Sequence, residues 1–75
     1  MASAYLLLNV ETGTEEEVMN DLKTHQEVKE AWMVYGVYDI IVRVETGTME
    51  ELKNVVSWTI RRLDRIRSTM TMIVV

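Results

Sequence analysis

The pentapeptide VETGT stands at Val10–Thr14 and again at Val44–Thr48. Each copy leaves a short apolar run, AYLLLNV (Ala4–Val10) or YDIIVRV (Tyr38–Val44). Each then enters a charged stretch with apolar residues at helical spacing, EEEVMNDLK or MEELKNVVSW. VETGT therefore reads as a strand-to-helix connection used twice, and the repeat predicts two strand–helix units. In the first copy Thr14 is placed as an N-cap with Glu17 three residues on, and Glu15 and Glu16 favour the positive end of the helix dipole. Val18, Met19, Leu22 and His25 give that helix an apolar stripe from Glu15 to about His25. In the second copy Thr48 caps, Glu51 follows at the same spacing, and Leu52, Val55, Val56, Thr59, Ile60 and Leu63 extend a wider apolar face to about Asp64.

Two further runs read as strands. EVKEAWMVY (Glu27–Tyr35) is β-branched and aromatic, and it meets Tyr38 across YGVY, where Gly36 supplies a permissive turn position. STMTMIVV (Ser68–Val75) alternates threonine with apolar residues to the last position. The order is βαββαβ, which predicts an α+β, ferredoxin-like domain over 1–75: a four-stranded antiparallel sheet with two helices on one face. In the first strand Tyr5 and Leu7 oppose Leu6, Leu8 and Val10, and in the last Met70, Met72 and Val74 oppose Ile73 and Val75. Both sheet faces are apolar, yet two helices cover only one. A homodimer closed sheet to sheet is expected.

Size and composition agree. A chain of 75 residues buries only about 60% of its unfolded surface and is marginal alone. The absence of cysteine excludes disulfides and thiolate metal sites, and His25, the single histidine, excludes a His-rich centre. Self-association is left as the source of added stability. No apolar run approaches the roughly 18 residues of a membrane span, and MASAYLLLNVE lacks the basic start of a signal peptide. A soluble, cytoplasmic protein is expected. The net charge of −4 opposes nucleic acid. Arg61, Arg62, Arg65 and Arg67 in RRLDRIR are read as cations closing a helix.

No phosphate loop, nucleophile elbow or metal-ligand spacing is present, so no cofactor is expected. His25, at the end of a polar helix, reads as a surface or capping residue rather than an acid or base. Asp39 has two readings: a turn carboxylate bonding backbone amides, or a ligand group with no core role. Tyr35 and Tyr38 set aromatic rings beside it. The methionines at 19, 33, 49, 70 and 72 read as core and interface filler.

VYGVYDIIVRVET, a following Glu-Leu-bearing helix and IRSTMTMIVV together resemble the RAM domain, the effector-binding module of the Lrp/AsnC transcription regulators. Gly36, Tyr38 and Asp39 match the family's Gly-x-Tyr-Asp turn, and Thr69 and Thr71 its Thr-x-Thr pattern. The resemblance spans Ala4 to Val75. The family's regulators carry an N-terminal helix-turn-helix, whereas this sequence starts at the first strand and looks like a stand-alone RAM protein that does not bind DNA directly. Where relatives often have Pro-Gly before the last strand, it has Asp64-Arg65. The resemblance implies sheet-joined dimers that assemble further in even numbers, contact with full-length Lrp/AsnC-type regulators, and an amino acid or related small metabolite as ligand. In the implied site Gly36 offers amides to a carboxylate, Asp39 pairs with an α-ammonium group, Tyr35 or Tyr38 touches the side chain, and Thr69 and Thr71 supply hydroxyls from a neighbouring subunit.

Three other classes share the topology. A dimeric α/β-barrel enzyme acting on a small metabolite needs a polar catalytic group in a roomy cavity. An RNA-binding domain needs basic surroundings for an aromatic sheet face, which the acidic balance opposes. An ACT-type amino-acid module differs in setting its sheets side by side.

Overall fold

The structure, a computed structural model, describes residues 1–62 and 64–75, without the side chains of 59–62. The elements follow the expected order: β1 (Ala2–Val10), α1 (Glu15–Lys23), β2 (Val28–Met33), β3 (Ile40–Thr46), α2 (Met49–Arg62) and β4 (Ile66–Ile73). The strands form one antiparallel sheet in the order β2-β3-β1-β4, so the fold is ferredoxin-like α+β. The two repeat units contribute the central strands, β1 and β3, which pair from Ala2↔Thr46 to Leu8↔Ile40.

Alternation along the central strands decides which face is filled. Ala4, Leu6, Leu8 and Val10 of β1 and Ile40, Val42 and Val44 of β3 are buried in one cluster with Val18, Met19 and Leu22 of α1 and Leu52 of α2. Val55 and Val56 pack against this cluster from α2. The expected parts of Thr59, Ile60 and Leu63 in the apolar face, and of Arg61 and Arg62 in the basic cluster, lie outside the described residues.

The two VETGT copies fold differently. In the second, the Glu51 amide donates to Thr48 Oγ1 at 3.1 Å, which is the expected cap. In the first, Thr14 makes no side-chain cap. Its hydroxyl instead donates to the Glu11 carbonyl at 2.6 Å, and Glu15 Oε1 accepts from the Gly13 amide at 3.0 Å. The cause lies in the turn. β1 stops at Val10 and the chain reverses through Gly13 at φ 90°, whereas β3 runs on to Thr46.

Several boundaries also move. α1 ends at Lys23, not His25, because the Thr24 and His25 amides bond three residues back, to Asp21 and Leu22. β2 ends at Met33, not Tyr35, since the Val34 amide closes onto the Asp39 carbonyl at 2.9 Å and frees the intervening residues as a loop. Arg65 and Arg67 do not close a helix. Arg65 sits in the turn after α2 and pairs with Glu17 of α1 at 3.1 Å, while Arg67 belongs to β4.

Candidate functional site

Two features stand out, one at an end of the sheet and one on its uncovered face. At the end, β1 finishes beside the loop joining β2 to β3. Asp39 ties them together. Its amide donates to the Leu8 carbonyl at 2.9 Å, and its Oδ2 accepts from the Val10 amide at 3.0 Å. The carboxylate thus replaces the carbonyl that a longer β3 would offer to β1, so a structural role for Asp39 is present, directed at a strand distant in sequence rather than at its own turn.

Asp39 also borders two hollows. One of about 660 Å³ is lined by Gly13, Glu15, Glu16, Val34 and Tyr35 as well as Asp39, with Tyr35 fully exposed at its rim. The other, of about 440 Å³, lies toward β4, between Asp39, Asn9, Thr12, Arg67 and Ser68. Of the residues expected at the site, Tyr35 and Asp39 share the first hollow. Gly36 and Tyr38 do not line it, although they belong to the same loop. Gly36 holds a positive φ of 158°, a conformation that residues with a side chain rarely adopt, although a Cβ there would meet nothing within 4 Å. The Tyr38 hydroxyl points the other way, to Met70 Sδ at 3.7 Å. Thr69 and Thr71 pair with Leu8 and Leu6, which places them on the helix side of the edge strand and outside both hollows of this protomer.

Nothing in the sequence marks Asn9, Thr12, Arg67 and Ser68 as lining this second hollow with Asp39. Arg67 is brought in by a β-bulge: Asn9 pairs with Ser68 and Val10 with Ile66, leaving Arg67 as the extra residue. Nothing in the local sequence marks that register shift.

The uncovered sheet face forms the second feature. One row in register runs across all four strands as Trp32, Ile41, Leu7 and Met70, and the next as Glu30, Arg43, Tyr5 and Met72. Tyr5, Trp32, Met70 and Met72 are exposed. Arg43, the cation in the middle, is bracketed by Glu30 at 2.7 Å and Glu45 at 3.4 Å. The hydrogen bond to Glu30 is the main cause holding the guanidinium pKa above its ordinary value, with desolvation working against it. Its charge is therefore already partnered within the chain.

On the other side, His25 packs edge-on against Trp58 with ring centroids 4.2 Å apart and borders a hollow of about 360 Å³ with Glu27, Asn54 and Val55. Among the described residues no helix is long and apolar enough to cross a membrane, and no group of three or more His, Cys, Asp or Glu is set to hold a metal.

Against known proteins, the family of the Lrp/AsnC ligand binding domain matches residues 3–75. The chain belongs to this family. It is 34% identical over 71 residues to the HTH-type transcriptional regulator FL11 of Pyrococcus horikoshii, covering 95% of this chain and 46% of the relative. It is 40% identical over 58 residues to the regulatory protein AsnC of Haemophilus influenzae, covering 77% and 39%. The chain thus spans less than half the length of these relatives, which are transcription regulators. Among solved structures, FFRP-DM1 is 44% identical with a TM-score of 0.94 over the whole of both chains. E. coli AsnC superposes with a TM-score of 0.88 at 25% identity, covering 99% of this chain and 50% of that one. The β-bulge, the Asp39 tie and the uncovered row described above thus belong to an Lrp/AsnC ligand-binding domain.

Proposed function

We propose that this Lrp/AsnC domain is an amino-acid-binding oligomerisation module. Two copies close sheet to sheet, dimers join into larger even-numbered assemblies, and an amino acid or related small metabolite bound beside Asp39 shifts that assembly. Full-length regulators carrying the same domain can join through the same sheet contacts, so the module acts on transcription in the cytoplasm without itself binding DNA or catalysing a reaction. Around the Asp39 tie, the loop residues Tyr35, Gly36 and Tyr38 and the threonines Thr69 and Thr71 form the effector site, the threonines contributed by a neighbouring subunit.

The observation that carries this reading is the row Trp32, Ile41, Leu7 and Met70, continuous across the face that the helices leave open. Apolar surface is driven from water at roughly 25 cal/mol per Å², and a second copy offers the self-complementary surface to cover it. The paired state of Arg43 is compatible with that closure, because its guanidinium would enter the interface bonded to Glu30 and Glu45 and not as an unpaired charge.

Native mass spectrometry of the purified chain, with and without a mixture of the standard L-amino acids, tests the reading. Even-numbered assemblies and an amino-acid adduct, or a shift between assemblies on adding the mixture, are expected. A monomer that neither gains mass nor associates contradicts it.

A further inference from the structure

β1 ends between an acid and a base. On its β3 side Asp39 accepts from the Val10 amide, and on its β4 side the bulge between Asn9 and Val10 inserts Arg67. Both side chains line the hollow of about 440 Å³, inside the range of small-molecule sites, about 300–1,000 Å³. The remaining lining is polar apart from Val10. Asn9 Nδ2 donates to Ser68 Oγ at 3.1 Å across the bulge, which fixes two of its walls, and Thr12 forms the lip.

The ionic state of the two arginines of β4 and its preceding turn distinguishes them. Arg65 is bonded to Glu17. The Arg67 guanidinium has no ion pair or hydrogen bond with a described residue, and the ion pairs of the described residues involve only Arg43 and Arg65 as cations. Asp39 and Arg67 therefore face one hollow without neutralising each other directly. A bulge commonly serves to re-aim a side chain beside a site, and here the re-aimed side chain carries the charge that Asp39 lacks.

We propose that Arg67 anchors the carboxylate of an α-amino acid in this hollow while Asp39 takes its ammonium group. The assignment rests on the amino-acid-binding reading above and relocates its ligand to the β4 side of Asp39, into a hollow that Tyr35, Gly36, Tyr38, Thr69 and Thr71 of the same protomer do not line, with the carboxylate on a β4 guanidinium instead of the Gly36 amides. A planar guanidinium meets a carboxylate with two parallel N–H···O bonds. The ammonium donates to the carboxylate of Asp39, whose Oδ2 is held by the Val10 amide. Both ends of the zwitterion are thus recognised by one protomer. The selected class is free α-amino acids, over amines lacking the carboxylate and acids lacking the ammonium.

The test is calorimetric titration of wild type, Arg67→Gln, Arg67→Lys and Asp39→Asn with L-leucine, L-glutamine, L-lysine and L-aspartate, and with the α-carboxamide of each. For an amino acid that binds, Arg67→Gln is expected to weaken binding about 10- to 100-fold, as loss of a charge-assisted pair does, and Arg67→Lys by less. Replacing the carboxylate by its amide should weaken binding to wild type by a similar factor but add little in Arg67→Gln, because both changes remove one interaction. Sedimentation of the ligand-free variants should match wild type. If an amino acid binds wild type and Arg67→Gln alike, the carboxylate is held elsewhere, and this assignment falls while the module reading stands. If none of the four binds wild type, the assignment and the ligand half of that reading fall together.

Discussion

Asp39→Ala should destabilise the fold as well as the site, and the geometry sets the scale. The change removes a hydrogen bond of 3.0 Å from the Val10 amide to a carboxylate in a part-buried position. Bonds to charged groups contribute about 1.5–3 kcal/mol when buried. Water reaches this one and can take over part of it, so about 1–1.5 kcal/mol is expected. For a domain of this size each kcal/mol moves the melting temperature by roughly 4–8 °C, which gives a drop of about 5–10 °C. Asp39→Asn keeps an amide oxygen for the Val10 amide and should recover most of that loss. Thermal unfolding of the three proteins must be compared at one protein concentration, because association makes the midpoint concentration-dependent. An Asp39→Ala midpoint within about 1 °C of wild type would refute the reasoning that this carboxylate ties β1 to β3.

The repeated pentapeptide supplies an internal control: Thr48→Ala should cost about 1 kcal/mol, while Thr14→Ala, which removes only an exposed bond to the Glu11 carbonyl, should cost about half that, both read by denaturant midpoint. Gly13→Ala should cost about 1 kcal/mol through its positive φ alone, since a Cβ there meets nothing within 4 Å; a neutral midpoint would show that the turn relaxes freely. With a net charge of −4, the chain should give no sequence-specific shift of duplex DNA on a native gel, and a salt-resistant specific shift would overturn the assignment of DNA contact to partner regulators.

The repeat made the topology legible, because a strand-to-helix turn written twice leaves few ways to arrange a short chain, and alternation in β1 and β4 separated the two sheet faces. What stayed hidden depended on contacts distant in sequence. Thr14 and Thr48 lie in the same five residues, but only Thr48 caps, since β1 stops at the bulge beside Val10 while β3 runs on through Thr46. Arg67 follows a helix in a run of arginines and reads as part of its end; its place in β4 is set by pairing with β1. Gly36 of YGVYD was legible as a turn, but Tyr35 and Tyr38 read as strand ends and fall in the loop between β2 and β3; the direction of Tyr38 toward Met70 follows from how that loop leans over the sheet. For Asp39 the residue type left a structural and a binding reading open, and only the tertiary fold supplied the structural partner, Val10.

Leu7 lies in the middle of the apolar row, between Ile41 and Met70, so sedimentation equilibrium of wild type against Leu7→Asp tests the central claim most directly. Wild type should sediment at micromolar concentration as a dimer or a larger even-numbered assembly, and Leu7→Asp should dissociate, because an unpaired carboxylate buried between two sheets costs several kcal/mol (roughly). A wild-type protein that sediments as a stable, folded monomer would contradict the account.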